Sequence, residues 1–364
     1  MGPQCVRVMS SALLDRLVVD GRALEGSAIL SYFDNLVVSK KIAPDQGVML
    51  RETAHQLMTG DGLTALTSGT TGPPKQFLVP QQDLVASAEL TRDAFGLRAG
   101  DRVLHCLPCD FIAGKLMLAR AFVLGLDTHF IDPRGSVIDK LNVNDRFRFA
   151  AMVPVQLHRM LQEDRTRVEE QFEMILLGGG PVSEALVQAL QGLSTRVSHG
   201  YGSTETVTHV ALRRLNDPGS EDRFTAIGHC HFARDPRGCL VVYTPHLSTL
   251  QHVTNDLVTL IDDTHFRWLG RYDHVILSGG KKIFPEQLEA KTAGIISYPH
   301  YFSGAPDPVL GQAVVLTLET ERPENEVLPD VMEKMMFILD RHEWPRRVIT
   351  VRKIERTTSG KIKR

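Results

Sequence analysis

The chain has 364 residues, enough for one large domain and a smaller one, and its 43% hydrophobic and 23% charged residues are ordinary for a globular protein. No apolar run reaches the length of a membrane-spanning helix, and a net charge of −2 without a long basic run argues against binding to nucleic acid or to a membrane surface. Five cysteines, an odd number, and a first segment without a signal-peptide pattern favour a reducing cytoplasm over a disulfide framework.

Helices and strands alternate over the first half of the chain. After an apolar stretch at 12–19, the sequence pattern predicts helices over 27–39, 44–60, 81–95, 112–125, 155–163 and 183–192. Short apolar runs predict strands at 63–66, 76–80, 101–107, 130–132, 149–153 and 174–177. This alternation favours an α/β fold with mainly parallel sheets, and the glycine-rich loop 178–180 after the last strand would face a ligand crevice.

The pattern changes after residue 210. Short strands at 239–243, 257–261 and 265–269, separated by turns, predict an antiparallel subdomain. From residue 274 the sequence predicts a compact α+β unit, with strands at 275–277, 313–318 and 347–351 and helices over 285–293 and 329–341. We therefore expect a large α/β domain followed by a small α+β domain.

Residues 67–75, with the sequence TSGTTGPPK, hold four hydroxyls, two glycines and a lysine between two short apolar strands. Glycines let the backbone turn its N–H groups inward, while hydroxyls and a lysine add donors that a phosphate can accept. The segment is not a Walker A loop, because two prolines separate Gly72 from Lys75. We expect a phosphate-binding loop, and an ordinary hairpin turn rich in Ser, Thr and Gly is the alternative.

Three further motifs follow this loop. They are GYGSTET at 200–206, GRYD at 270–273 running into SGG at 278–280, and TSGK at 358–361. In this order and spacing, the four motifs resemble those of the acyl-adenylate-forming superfamily of AMP-binding enzymes, which includes acyl-CoA synthetases, luciferases and peptide-synthetase adenylation domains. The resemblance implies an AMP-binding domain over 1–270, a hinge at 271–273 and a small mobile domain over 274–364 that carries a catalytic lysine.

In such enzymes a carboxylate approaches the α-phosphate of ATP, so the site needs cations and donors aimed at the charge that develops. The resemblance implies that Lys361 bridges the carboxylate and the phosphate, that Thr204 contacts the α-phosphate, and that Glu205 and Thr70 serve Mg²⁺. The residues implied to bind ATP or AMP are Thr67, Ser68, Gly69, Thr70, Thr71, Gly72, Lys75, Gly179, Gly180, Tyr201, Gly202, Asp256 and Arg271.

Residues 254–256 have the sequence Thr-Asn-Asp, where the family usually has Thr-Gly-Asp. Asn tolerates a left-handed backbone, so we expect the turn to survive, with Asp256 accepting from the ribose hydroxyls. The resemblance further implies that the small domain rotates about Asp273 between the two half-reactions. The residues it would then present to coenzyme A are Gly279, Gly280 and Lys281, although a plain hairpin turn also explains the two glycines.

The segments 107–115, 206–213 and 268–273 look like those of the short o-succinylbenzoate–CoA ligases of menaquinone biosynthesis. That acid has two carboxylates, and the one that is not activated needs a cation, because burying it unpaired is costly. Lys115 is the first candidate for that cation, followed by Arg120 and Arg213. The residues expected around the acyl group are Phe111, Gly114, Lys115, Gly178, Thr208 and His209.

Two other functions remain open at this stage. An adenylating enzyme that uses another acid, or that loads a carrier protein, would need the same motifs, and so would a catalytically silent nucleotide-binding homologue. The expected ligands are ATP, Mg²⁺, coenzyme A and a carboxylic acid, and the resemblance leaves the oligomeric state open, including a homodimer. The pair Cys106 and Cys109 has no second cysteine pair or spaced histidine pair to complete a zinc site. In the run 228–231, adjacent side chains on an extended segment would point to opposite faces, so we interpret both features as structural.

Overall fold

The computed structural model describes residues 14–60, 62–67, 75–217, 219, 221–357 and 362–364. Several residues of the predicted site therefore lie outside the described residues, namely Ser68, Gly69, Thr70, Thr71, Gly72 and Lys361. The side chains of Thr67 and Lys75, at the two ends of the predicted phosphate loop, also lie outside them.

Eight α-helices lie within the described ranges. They are α1 (Ser27–Val38), α2 (Pro44–Thr59), α3 (Gln81–Phe95), α4 (Ile112–Leu124), α5 (Pro154–Gln171), α6 (Glu184–Ala189), α7 (Pro285–Thr292) and α8 (Glu324–Met336). None of them is both long and apolar enough to span a membrane.

Twenty strands accompany these helices in the described part of the chain. The first ten are β1 (Arg16–Val19), β2 (Arg22–Glu25), β3 (Leu63–Thr67), β4 (Lys75–Val79), β5 (Arg102–His105), β6 (Asp127–Phe130), β7 (Phe147–Met152), β8 (Phe172–Leu177), β9 (Arg196–Gly202) and β10 (His209–Arg214). The others are β11 (Phe224–Ala226), β12 (His231–Arg234), β13 (Cys239–Tyr243), β14 (Gln251–Leu260), β15 (His265–Arg271), β16 (Ile276–Ser278), β17 (Lys281–Ile283), β18 (His300–Asp307), β19 (Gly311–Glu319) and β20 (Arg347–Val351).

Six neighbouring strands of a 13-stranded sheet are parallel, in the order β1-β6-β5-β7-β8-β9. Strand β8 has the sequence FEMILL and is buried at every residue except Glu173, as expected for a strand covered by helices on both faces. Helix α4 ends at Gly125, whose left-handed φ of 62° lets its N–H bond back to the Ala121 carbonyl and stops the helix. The predicted α/β fold is confirmed.

The antiparallel strands continue this sheet rather than forming a separate one. Beyond β9 the order is β10-β11-β15-β14-β13-β12, and every pairing in that series is antiparallel. The expected antiparallel subdomain is thus continuous with the parallel strands, because β9 pairs with β8 on one side and with β10 on the other. Strands β3 and β4 form their own two-stranded sheet, and the predicted phosphate loop joins them.

A separate five-stranded sheet follows residue 275, with the order β17-β16-β19-β18 and β20 beside β19. Its apolar residues form their own core, which includes Phe302, Leu316 and Val331. Helix α8 spans Glu324–Met336 instead of the predicted 329–341. The prediction started the helix at Pro329, whereas the buried stripe begins two residues earlier, at Val327.

Two other helix predictions are corrected in length. Helix α5 continues to Gln171 after a break at Asp164, whose φ of −162° and ψ of 91° are not helical. The polar sequence of its second half hid that continuation, although Val168 is buried. Helix α6 is shorter than predicted, and it begins where Ser183 Oγ accepts the N–H of Leu186 at 3.2 Å.

Candidate functional site

The carboxyl ends of β7, β8 and β9 lie side by side at the edge where open α/β sheets bind ligands. A Cβ on Gly178 or Gly180, in the loop after β8, would meet no atom within 4 Å, so the loop borders open space. Gly179 between them has a φ of 77°, which favours glycine. His199 lies on β9, and burial, followed by the charge of Arg213, lowers the pKa of His199 to about 4. The imidazole beside this loop is therefore neutral.

Three of the predicted nucleotide-binding residues meet at one point. The hydroxyl of Tyr201 donates to Asp256 Oδ2 at 2.6 Å, and Arg271 Nη1 lies 3.6 Å from Asp256 Oδ1. Asp256 and Arg271 are direct partners in the β14–β15 pairing, which brings their side chains together. Burial, and then the charge of Asp256, raises the pKa of Tyr201 well above its usual value, so the phenol stays a donor. The group offers a ring face, a carboxylate and a guanidinium to a nucleoside.

The residues after β9 form a tight turn that presents Thr204 and Glu205. The N–H of Ser203 donates to Thr206 Oγ1 at 2.8 Å, and the N–H of Thr206 donates to Ser203 Oγ at 3.3 Å. Val207 follows with a φ of 60°, a left-handed conformation that costs a β-branched residue about 1–3 kcal/mol. Glu205 is exposed, so its carboxylate is accessible to a hard cation such as Mg²⁺.

Asp273 lies in the short segment between β15 and β16. Its Oδ2 accepts hydrogen bonds from Asn255 Nδ2 at 3.1 Å and from Arg271 Nη2 at 3.3 Å. The expectation of a turn at 254–256 is wrong, because β14 runs through this segment and Asn255 is not among the residues with positive φ. The side chain of Asn255 therefore extends from a strand toward the predicted hinge.

Helix α4 begins directly after Phe111, whose side chain is 37% exposed. A Cβ on Gly114 would come within 2.2 Å of the Pro108 carbonyl oxygen, so only glycine fits this close approach. The Gly114 carbonyl also bonds to His105 Nε2 at 3.1 Å. These contacts give Gly114 a packing role at the place where sequence reasoning expected the acyl group.

Lys115 does not lie free beside the acyl region. Its Nζ donates to the Thr64 carbonyl at 2.6 Å, and its side chain is half-buried. Thr64 belongs to β3, one strand of the hairpin that carries the predicted phosphate loop. The cation that the sequence ranked first for the spare carboxylate is thus engaged at the base of that hairpin.

Arg120 and His209 form a buried polar cluster with two threonines. Arg120 Nε donates to Thr91 Oγ1 at 3.0 Å, and its Nη2 donates to Thr208 Oγ1 at 2.8 Å. Burial lowers the pKa of Arg120 to about 10, and no carboxylate lies within ion-pair distance of it among the described residues. Burial, and then the charge of Arg120, holds the pKa of His209 well below its usual range, so the imidazole is neutral. Arg213, the third candidate cation, is already paired with Asp222.

Gly279 and Gly280 form the two-residue turn between β16 and β17. Ser278 pairs with Lys281 across this turn, and the two glycines have φ values of 56° and 79°. Two successive positive φ angles are typical of a type I′ hairpin, so the turn itself requires these glycines. Lys281 is exposed beside them, and the contact of all three residues with coenzyme A stays a prediction.

The described cysteines are all free and buried. Burial raises the pKa of both Cys106 and Cys109 to about 12, so neither forms a thiolate at neutral pH. His231 stacks on Tyr243 with ring centroids 4.5 Å apart, while Cys230 lies buried beneath the neighbouring strand. The structural interpretation of both sequence features agrees with these surroundings.

Sequence reasoning did not single out Arg237, which binds Asn255 Oδ1 at 2.9 Å. The residue lies in an ordinary polar turn between β12 and β13, and only the pairing of the strands brings it to the predicted hinge. The cluster around His209 was expected to contact the acyl group, but its hydrogen-bond pattern could not be read from the sequence.

Comparison with known proteins gives a consistent result. Residues 57–235 match the family model of the AMP-binding enzymes. An acyl-CoA synthetase (AMP-forming)/AMP-acid ligase II-like protein from Dyadobacter fermentans is 31% identical, and the match covers 88% of this chain and 93% of that one with a TM-score of 0.58. The o-succinylbenzoate coenzyme A synthetase of Bacillus subtilis, solved with ATP and magnesium ion, shares the fold with a TM-score of 0.69 at 23% identity, over 85% of this chain and 74% of that one.

Longer relatives are more distant in sequence. A 2-succinylbenzoate–CoA ligase from Geobacillus sp. is 24% identical over 335 residues, which are 82% of this chain and 66% of that protein. The chain spans about two thirds of the length of the curated relatives it matches. From the family model and the 31% identical relative, we conclude that the chain belongs to the acyl-adenylate-forming superfamily of AMP-binding enzymes.

Proposed function

We propose that this protein is an ATP-dependent carboxylic acid–CoA ligase whose substrate is 2-succinylbenzoate. In the first step the carboxylate would attack the α-phosphate of ATP and release pyrophosphate, and in the second the acyl group would pass to the thiol of coenzyme A and release AMP. Membership of the superfamily supports this chemistry, and several 2-succinylbenzoate–CoA ligases are among the relatives.

The observation that carries the substrate is a buried guanidinium without a carboxylate partner, next to a buried imidazole nitrogen without any partner, among the described residues. Thr208 Oγ1 accepts from Arg120 Nη2 and lies 3.1 Å from His209 Nδ1, and we assign its hydroxyl proton to that ring nitrogen. With this assignment the proton of the neutral His209 ring lies on Nε2, a buried atom with no hydrogen-bond partner in the described part of the chain. A buried guanidinium and a buried N–H thus both lack an anionic acceptor, and a carboxylate would satisfy both.

This cluster adjoins the place where the nucleotide would bind. Thr208 and His209 follow the turn that presents Thr204 and Glu205, so an acid could reach the nucleotide with one end and the cluster with the other. 2-Succinylbenzoate has one carboxylate for each. A fatty acid, the substrate named for another relative, would leave both buried donors unmatched.

The chain's own residues fit the nucleotide and its metal ion. Tyr201 would offer its ring to adenine, Asp256 would accept from the ribose hydroxyls, and Arg271 would donate to the ribose or phosphate side. The exposed carboxylate of Glu205 would hold Mg²⁺, which neutralises phosphate charge when it is bound. We also propose that the reaction takes place in the cytoplasm, because the described cysteines are all free thiols.

The test is a panel of acids assayed for AMP release in the presence of ATP, Mg²⁺ and coenzyme A. The panel contains 2-succinylbenzoate, analogues that lack one or the other of its carboxylates, and a long-chain fatty acid. We expect 2-succinylbenzoate to give the highest kcat/KM and a thioester with free coenzyme A. A higher kcat/KM for the fatty acid or for both monocarboxylic analogues would contradict the substrate assignment.

The same panel separates the alternative functions. Adenylate formation without any thioester from free coenzyme A would point to a carrier protein as the acceptor. Absence of ATP–pyrophosphate exchange with every acid would identify a catalytically silent nucleotide-binding homologue.

A further inference from the structure

Arg237 and Asn255 tie together three segments that are far apart in the sequence. Arg237 donates from Nη1 to Asn255 Oδ1 at 2.9 Å and from Nη2 to the Thr254 carbonyl at 3.1 Å. Asn255 Nδ2 in turn donates to Asp273, at 3.1 Å from Oδ2 and 3.4 Å from Oδ1. The Arg237 guanidinium also lies 5.3 Å from the centre of the Tyr272 ring. We call this arrangement of Arg237 and Asn255 the clasp.

The Arg237 end of the clasp is fixed by its own turn. Asp235 Oδ2 accepts from Arg237 Nε at 2.8 Å, which sets the plane of the guanidinium. Asp235 Oδ1 accepts from the N–H groups of Arg237 and Cys239, each at 2.9 Å, and so holds the turn closed. Arg237 is therefore anchored to the large sheet and reaches from it toward the segment between the two sheets.

The other end of the clasp holds the chain where it passes from one sheet to the next. Strand β15 ends at Arg271, strand β16 begins at Ile276, and the two sheets have separate apolar cores. Asp273 lies in this link, and any rotation of the second unit about it must change its backbone angles. Such a rotation would break the hydrogen bonds from Asn255.

The clasp also borders the predicted ribose site. Asn255 directly precedes Asp256, and Tyr272 directly follows Arg271. Asp256 and Arg271 are direct partners across β14 and β15. The carboxylate of Asp273 shares Arg271 with Asp256, since Arg271 lies 3.3 Å from the first and 3.6 Å from the second. The position of the link is thus coupled to the strands that would bind the nucleotide.

We propose that Arg237 and Asn255 are positioning residues that fasten the link to the ribose-binding strand and set the balance between two orientations of the C-terminal unit. The fastened link favours the orientation of this structure. The inference rests on the proposed function for the need to rotate between two half-reactions. The clasp depends on the side-chain amide of Asn255, since a glycine at this position would have no group to reach Asp273.

Single-molecule FRET on the full chain measures that orientation independently of turnover. Dyes on Val143→Cys and Phe337→Cys, whose native side chains are 65% and 85% exposed, would report the separation of the large sheet from the C-terminal unit. The described native cysteines are buried, and Cys5→Ser removes the fifth cysteine.

Asn255→Gly removes the hydrogen bonds to Asp273 without adding bulk. We expect the ratio of the alternative orientation to the observed one to rise about tenfold, as for the loss of one hydrogen bond to a charged group. Arg237→Gln should shift the ratio in the same direction but less. Asn255 then loses its hydrogen bond from Arg237 but keeps those to Asp273. Arg234→Gln is the matched control, since this arginine at the end of β12 is exposed and its side chain makes no hydrogen bond or ion pair to the described residues.

An exchange of the two polar partners separates positioning from packing. Asn255→Asp faces Asp273 with a second carboxylate and should shift the ratio further than Asn255→Gly. Adding Asp273→Asn restores a donor opposite an acceptor and should return the ratio toward the wild-type value. An unchanged ratio in Asn255→Gly, or no recovery in the exchanged pair, would overturn the proposal. Failure of the proposed function would appear separately, as absence of thioester from every acid while the FRET shift persists.

Discussion

Arg120→Met tests the buried donor pair, because it removes the charge and keeps the length of the side chain. The hydroxyls that Arg120 contacts retain partners of their own. Thr91 Oγ1 donates to the Ser87 carbonyl at 3.0 Å, and Thr208 Oγ1 lies 3.1 Å from His209 Nδ1. Each threonine hydroxyl therefore keeps a hydrogen-bond partner when the guanidinium is replaced by an apolar group.

The magnitude follows from the burial of the charge. Lowering the pKa of Arg120 to about 10 corresponds to a cost of about 3 kcal/mol for keeping the charged form in the fold. Arg120→Met relieves that cost and loses two hydrogen bonds worth about 1 kcal/mol each. Buried charges replaced by apolar residues are often neutral or stabilising, so we expect the free energy of unfolding to stay within about 1 kcal/mol of the wild-type value or to rise.

The same substitution should weaken the binding of the acid. A buried carboxylate that loses its charged partner costs about 2–5 kcal/mol, so the KM for 2-succinylbenzoate should rise at least about 30-fold. The KM for ATP should change little. Urea unfolding and steady-state kinetics on the same preparation measure both quantities. A loss of stability above about 3 kcal/mol with an unchanged KM for the acid would refute the reasoning, because Arg120 would then be structural.

Three further substitutions test the remaining assignments. Lys115→Met should raise the KM for ATP more than that for the acid, because its ammonium holds the Thr64 carbonyl under the predicted phosphate loop; an effect confined to the acid would return Lys115 to the acyl pocket. Lys361→Ala should abolish ATP–pyrophosphate exchange and largely spare thioester formation from pre-made acyl-AMP, and equal loss in both steps would contradict that division. Asp273→Pro should do the reverse, because proline fixes φ, and normal overall turnover would show that Asp273 is not the hinge.

The elements with a strong local signal could be predicted from the sequence. Strand β8 was expected from its apolar run, and α4 was expected to end at Gly125. Strand β9 was not predicted, and it runs through Gly200 and Tyr201 into the motif at 200–206. Those residues are extended because β10 pairs with them, and pairing between distant segments leaves no local mark.

In the candidate site too, some residues could be predicted from local motifs and others depend on tertiary contacts. The motifs predicted the positions of Tyr201 and Asp256, which the fold brings together. The sequence placed Lys115 before Arg120, but both lie on one helix, and only the tertiary structure shows what lies beside each of them. Arg237 gave no signal at all, since its role depends on partners that the strand pairing delivers.

The measurement that tests the central claim most directly uses 2-succinylbenzoate labelled with ¹⁸O in its carboxylates. If the acid attacks the α-phosphate, one carboxylate oxygen becomes the bridge of the acyl-AMP. The thiol of coenzyme A then attacks the acyl carbon, the bond from that carbon to the bridging oxygen breaks, and the oxygen leaves with AMP. We predict AMP that carries ¹⁸O in its phosphate, in an amount equal to the thioester formed. Unlabelled AMP, or ADP with inorganic phosphate as the products, would contradict the account.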